Sequence, residues 1–245
     1  MSTHHRVLLL GGTGRTGSLV LTQLLERGVA VRAIVRSADR LPAGAAGNPR
    51  LEVVEADLLA LPIGQLAGHL DGCDTVISCL GHTISARGIF GSPRLLVEGA
   101  VRRVHEAVGV RPSADPVRLI LMSSVSVNLP ERADSRRGAG ERAYLGGLRV
   151  VLPPARDNQR AADFLAREVG RDDPRLQWVA VRPDTLVEGD VGEYALHETL
   201  VASIFRPERT RIAQVAHLMC ELVTDDATWQ RWRGRMPVIV DAAPN

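Results

Sequence analysis

The chain has 245 residues and a formal net charge of +2, with 45% hydrophobic and 3% aromatic content. That length suits one large α/β domain with a core of Leu, Val, Ile and Ala. The near-neutral charge argues against a nucleic-acid surface, and no apolar run approaches the roughly 20 residues that span a bilayer.

Strand-like and helix-like segments alternate from the first residues. Arg6–Leu10 is a continuous apolar run, as in a strand covered on both faces. Arg15–Arg27 carries Val20, Leu21, Leu24 and Leu25 at helical spacing and meets a stop at Gly28. Val29–Val35 and Leu51–Val54 read as the next two strands, separated by a Gly/Pro-rich loop. Thr75–Cys79 is a fourth strand, followed by a loop over Gly81–Ser92 and a helix over Pro93–Val108 with Pro in its first turn. Val117–Met122 and Leu176–Val181 are the fifth and sixth strands, with a helix at Asp157–Val169 between them. The charged, glycine-rich segment Pro130–Gly147 reads as a mobile loop over a cleft.

This alternation predicts an α/β fold, a doubly wound parallel sheet (Rossmann-like) over residues 1–183. Residues 184–245 are less regular: a helix at Ile212–Thr224, an Arg/Trp-rich stretch at Trp229–Arg235 and a strand at Pro237–Val240. They are expected to form a small C-terminal substrate lobe, making one compact unit with the core. Trp229 and Trp232, among arginines, read as a packed helix rather than a base-stacking platform.

Between the first strand and first helix lies Gly11-Gly-Thr-Gly-Arg-Thr-Gly17. Glycines at 11, 14 and 17 let the backbone approach a pyrophosphate and aim helix N-terminal N–H groups at it. After the second strand, where NAD-selective sites carry a carboxylate, the chain has Val35-Arg36-Ser37. Arg36, with Arg15 from the glycine loop, can pair with a 2′-phosphate, which makes NADP(H) the expected cofactor. The competing reading leaves both arginines solvated. Asp57-Leu58 can cap and cover the adenine, or Asp57 can serve as a helix N-cap. Cys79-Leu80-Gly81 falls where backbone passes beneath the ribose and nicotinamide, with Gly81 allowing a close approach.

These signals, with Met122-Ser123-Ser124 and Ala180-Val181-Arg182-Pro183 at two later strand ends, resemble the atypical branch of the short-chain dehydrogenase/reductase superfamily. The glycine loop is similar to those of biliverdin reductase B-like and NmrA-like NAD(P)-binding proteins. The likeness covers roughly residues 6–190. It implies that Gly11, Thr13, Gly14, Arg15, Thr16 and Gly17 hold the phosphates and Arg36 the adenosine phosphate. It likewise places Ser123 and Pro183 near the nicotinamide, and gives Ser124 the position of the family's catalytic serine. A strand-end hydroxyl is the plainer account of Ser124.

The departure from the family pattern is sharper. All 30 basic residues are arginine, so the usual Tyr-x-x-x-Lys pair is missing. Tyr144 is followed four residues later by Leu148, and reads as a loop residue. Asn158, Gln159 and Arg160 stand where the lysine falls; they can bind ribose but cannot replace the usual proton donor.

The leading expectation is an NADPH-dependent reductase passing hydride to a small conjugated acceptor such as a flavin, quinone or tetrapyrrole, which can take its proton from water. Tyr194, His197, Phe205 and Arg206 would shape the acceptor pocket, with His197 more plausible as a structural helix residue than as a proton shuttle. The alternatives are a non-catalytic NADP(H)-binding redox sensor of NmrA type and, with no convincing general base, an epimerase or lyase. No metal, nucleic acid or membrane partner is expected, and the chain is read as a monomer or homodimer. Three cysteines without a Cys-x-x-Cys pair suit a reducing cytoplasm, and no signal peptide is expected before Arg6.

Overall fold

The computed structural model describes residues 5–82, 95–130, 134 and 136–242. Strands β1 (Arg6–Leu10), β2 (Ala30–Val35), β3 (Leu51–Glu55), β4 (Thr75–Ser78), β5 (Val117–Met122), β6 (Leu176–Pro183), β8 (Tyr194–His197) and β10 (Val238–Asp241) form one sheet in the order β3-β2-β1-β4-β5-β6-β10-β8. Seven are parallel; β8 closes the edge antiparallel to β10. A separate parallel pair joins β7 (Thr185–Val187) to β9 (Arg209–Arg211). The doubly wound sheet read from the sequence is therefore present, with its strand order reversing between β1 and β4.

Helices cover both faces because successive strand residues point to opposite sides, each into an apolar layer. Leu8, Leu10, Val76, Leu119, Leu121 and Ala180 belong to the core under α2 (Ile63–Leu70), α3 (Leu96–Val110) and α5 (Pro153–Phe164). Val7, Leu9, Ile77, Ile120, Val179 and Val181 belong to the opposite core, under α1 (Arg15–Glu26), α6 (Ile212–Thr224) and α7 (Asp226–Trp232). Trp229 and Trp232 are buried there, as the packed-helix reading requires. Residues 184–242 thus contribute two strands to the main sheet and two helices to one of its layers.

Local signals placed α1 well: it ends at Glu26, and Gly28 turns the chain at φ +75°. Elsewhere the structure corrects the sequence reading. Much of the segment read as a loop over 130–147 is helical: α4 (Ala139–Val151) packs through buried Glu141 and Leu145 despite its glycines. Tertiary contact here overrides weak helix propensity. Helix α5 starts earlier than expected, at Pro153-Pro154, and continues as a π-helical turn over Leu165–Val169. The expected loop over 81–92 and the start of the expected helix at 93 fall largely outside the described residues.

Arg182, at the end of β6, is fully buried. Its guanidinium meets Asp134 Oδ2 at 3.2 Å and donates to the carbonyl of Met236 at 2.9 Å. The other carboxylate oxygen of Asp134 accepts the Leu200 N–H at 3.2 Å. One ion pair thus ties β6, the segment before α4 and the β8 side of the sheet together. Removing one partner strands a buried charge, which costs about 3–5 kcal/mol. Asp134→Ala is expected to lose that much unfolding free energy in a urea titration, with the sheet's circular dichroism retained in water.

Candidate functional site

The β1–α1 turn is built by close backbone approach. Gly11 has φ +82°, and a Cβ there would stand 2.8 Å from the carbonyl carbon and oxygen of Cys79. Gly17, in the first turn of α1, lies so near the Gly11 carbonyl oxygen that a Cβ would overlap it. The Gly14 N–H donates to the Gly11 carbonyl at 3.0 Å and closes the turn. Gly14 is also the N-cap of α1, and no side chain caps the helix. The first N–H groups are left for an anion, with the positive end of the helix dipole behind them. The residues present therefore fit a dinucleotide pyrophosphate. Thr13 lines this turn half-buried, and Thr16 is buried in the helix's first turn.

Arg36 is exposed directly beyond β2. Next to it, Glu55 ends β3 in register with Val35, and its carboxylate accepts the Ala38 N–H. Glu55 thus braces the loop carrying Arg36, a role the sequence reading did not anticipate. Arg15 is also exposed and lies 3.8 Å from Glu188, a pair too solvated to fix either side chain.

The helix N-cap reading of Asp57 does not hold: α2 starts after Pro62 with no side-chain cap, and Asp57 Oδ1 accepts the Leu59 N–H at 3.0 Å in a local turn. Its side chain stays exposed. Leu58 does not offer a platform for adenine, because its side chain is buried in the core beneath α2 and α3. Among the described residues nothing stands within 4 Å of where a Cβ on Gly81 would be.

The two faces of the strand ends differ in chemistry. The Cys79 thiol turns toward α6, with Met219 Sδ at 3.9 Å. Burial pushes the Cys79 thiol far above its ordinary range, and pushes Cys220 up to about 12 and Cys73 up to about 11. The opposite face holds hydroxyls. Ser78 and Ser123 are buried, and neither Oγ has a hydrogen-bond partner among the described residues. Each unpaired buried hydroxyl costs about 1–3 kcal/mol, the kind of burial expected where a ligand completes the site. Ser124 is committed locally: its Oγ accepts the Ser126 N–H at 3.2 Å. Pro183 is buried and accepts the Val125 N–H through its carbonyl.

On α5, the Gln159 amide is also engaged. It accepts the Asn128 N–H at 2.8 Å and donates to the Asn128 carbonyl at 3.2 Å and to Asp163 at 3.1 Å, so it does not point free toward a ribose. Arg160 lies 3.7 Å from Glu98. One pair escaped the sequence reading altogether: His82 Nε2 lies 2.8 Å from Asp157 Oδ2, across 75 residues of chain. No spacing rule could have found it.

The four residues expected to wall an acceptor pocket do not converge. Tyr194 donates to Glu221 of α6, whereas His197 projects from the other face of β8, a strand rather than the helix expected. Phe205 is exposed and packs its ring 5.4 Å from Tyr144, which lies on α4 rather than in a loop. Arg206 is exposed, its N–H bonded to the Ser203 carbonyl. A cavity of about 260 Å³ lies instead beside β6, lined by Trp178, Trp232, Arg171, Arg235 and Met236 among others; none of the expected cofactor residues lines it. Among the described residues there is no cluster able to hold a metal ion, and no helix is long and apolar enough to cross a membrane.

The strand order 3-2-1-4-5-6, with a glycine turn opening the first helix beside the switch point, defines an α/β dinucleotide-binding protein resembling short-chain dehydrogenases/reductases. The chain belongs to the NAD(P)H-binding family, whose model matches residues 11–226. Among its relatives is an uncharacterized chloroplastic protein of Arabidopsis thaliana, 26% identical over 211 residues, covering 83% of this chain and 73% of that protein. Similar solved structures include the oxidoreductase ylbE from Lactococcus lactis (TM-score 0.68, 20% identity, 97% of this chain and 91% of that one). Another is ChuY, an anaerobillin reductase from Escherichia coli O157:H7 (TM-score 0.64, 18% identity, 98% of each chain).

Two outcomes are expected. Gly17→Ala should lower NAD(P)H affinity at least tenfold by nicotinamide fluorescence, since the new methyl must push α1 away from the Gly11 carbonyl. Because burial raises all three thiols, their thiolate fractions at pH 8 stay near or below about one in a thousand. A chromogenic disulfide reagent at pH 8 should therefore leave the native protein unlabelled and titrate three thiols only after denaturation.

Proposed function

We propose that the protein is an NADPH-dependent reductase that passes hydride to a small conjugated acceptor such as a flavin, quinone or tetrapyrrole. The observation that carries the cofactor reading is the uncapped N-terminus of α1 in its glycine turn, with Arg36 exposed where an NAD-selective site would carry a carboxylate. The glycine turn and the first N–H groups of α1 would hold the pyrophosphate, and Arg36, steadied by Glu55, would pair with the 2′-phosphate. Arg15 would approach the same phosphate from the glycine loop. Asp57 would keep one carboxylate oxygen for the adenine amino group. The backbone of Cys79-Leu80-Gly81 would lie under the nicotinamide ribose, with Ser123 and Pro183 beside the ring. A bound nicotinamide supplies the hydride.

Reduction of a conjugated acceptor suits a site without the Tyr–Lys pair, because such acceptors do not need an activated phenol. ChuY, an anaerobillin reductase of similar fold, supports this acceptor class. One observation favours the second reading, a non-catalytic NADP(H)-dependent sensor: the Ser124 hydroxyl already closes its own turn. A sensor would bind both redox forms of the cofactor and turn over neither.

The test is a fluorescence titration with NADPH and NADH separately, on the wild type and on Arg36→Glu. The wild type should prefer NADPH, and the variant should weaken NADPH about 10–100-fold while NADH changes less than about threefold, as expected for loss of a charge-assisted phosphate pair. Equal effects on both cofactors would remove Arg36 from this role.

A further inference from the structure

We propose that Glu55 is a second cofactor-selecting residue: its carboxylate takes the adenosine ribose hydroxyl of NADH at the strand ends where Arg36 takes the 2′-phosphate of NADPH. The proposal rests on the dinucleotide reading above and extends it from one cofactor to two. Strands β2 and β3 pair in parallel register up to Val35 and Glu55. The Ala56 N–H then donates to the Val35 carbonyl at 2.8 Å, so both chains leave the carboxyl edge of the sheet side by side. Arg36 is the first residue beyond one strand, and Glu55 is the last residue of the other.

Both side chains are exposed, yet they do not pair with each other. Glu55 Oε1 accepts the Ala38 N–H instead, at the start of a short 3-10 turn over Ala38–Arg40. Its Oε2 accepts no hydrogen bond among the described residues, and Arg36 makes no ion pair among them. Held on backbone, the carboxylate is fixed without cancelling the guanidinium. Asp39, the other carboxylate of this loop, is exposed and has no such anchor among the described residues.

Strand alternation sets the side on which Glu55 stands. Leu51 shares its face of β3 and packs against the core under α1. Leu41, which ends the 3-10 turn, packs against that same core, so the loop held by Glu55 folds over the α1 side of the sheet. That is the side on which the glycine turn presents the uncapped N-terminus of α1 and the exposed Arg15. A dinucleotide held there by its pyrophosphate would bring its adenosine ribose to the end of β2.

NAD-selective sites carry a carboxylate at this point for the ribose 2′-hydroxyl, and an arginine there accommodates a 2′-phosphate. This chain has the arginine in its own place and brings a carboxylate to it from the neighbouring strand. A carboxylate only accepts hydrogen bonds, so it suits a hydroxyl and repels a phosphate; a guanidinium only donates, and does the reverse. Each cofactor thus finds one favourable partner, and Glu55 moderates the NADPH preference that Arg36 sets.

The test is a nicotinamide fluorescence titration of the full chain with NADH and NADPH, on the wild type, Glu55→Gln, Glu55→Ala and Asp39→Asn. Glutamine keeps an oxygen for the Ala38 N–H while removing the charge, which separates cofactor selection from bracing. Glu55→Gln should weaken NADH about tenfold and tighten NADPH about two- to threefold. Glu55→Ala should weaken NADH at least as much and lose the NADPH gain, because the Arg36 loop is no longer held. Asp39→Asn should change neither affinity by more than about twofold. NADH affinity that is unchanged in Glu55→Gln, or that falls in Asp39→Asn instead, would overturn the proposal while sparing the role of Arg36. NADPH weakened as much as NADH in Glu55→Gln would make Glu55 a brace alone and overturn it likewise, as would a wild type that binds NADPH and not NADH. A wild type that binds neither cofactor would defeat the dinucleotide reading, and this proposal with it.

Discussion

The molecule depends on one steric constraint: the backbone of the β1–α1 turn lies against the backbone at the end of β4, with no room between them for a side chain. Gly11 takes a left-handed φ beneath the Cys79 carbonyl, and Gly17 packs against Gly11. This contact draws the N-terminus of α1 down to the point where the strand order reverses. Its N–H groups then face the crevice at the carboxyl end of the sheet rather than the helix's own capping residue. An anion site follows from packing, without any charged side chain having to be buried to make it.

The two faces of the sheet carry different burdens. The layer formed with α1, α6 and α7 is almost wholly apolar, and its cysteines are inert because burial disfavours their thiolates. The layer formed with α2, α3 and α5 also encloses charge. Arg182 and Asp134 bind the irregular C-terminal region to β6, and Asp157 joins α5 to the first turn of α3. Buried charges of this kind rarely maximise stability, since well-packed apolar groups do as well. They fix geometry, and here both pairs lie next to segments that border the crevice.

Legibility in the sequence followed the range of the interactions involved. β1, α1, β2, β5 and α6 came within a residue or two, because an unbroken apolar run, a 3.6-residue period or a stop glycine is written in adjacent residues. Helix α4 was hidden by its glycines and charges, since its stability comes from Glu141 and Leu145 docking rather than from propensity. Leu58 looked like a surface for a base and is a core residue, because a two-residue motif does not say which way the chain turns after β3. The family resemblance gave Ser124 the catalytic position and set Ser123 near the nicotinamide; the turn at Ser126 occupies the Ser124 hydroxyl, while that of Ser123 is buried without a partner among the described residues.

The sequence by itself determined the alternation of strands and helices, the glycine turn, the missing lysine and the arginine that follows β2. These are local facts of spacing and residue type, and the first two suffice for the fold class and for an NAD(P)H-binding site. Tertiary structure alone decided that β10 and β8 extend the sheet beyond β6, that Glu55 braces the Arg36 loop, and that His82 meets Asp157. Each of these joins residues distant in the chain through the packing of whole elements. Such meetings are set by how the layers close on the sheet, and no motif of adjacent residues encodes them.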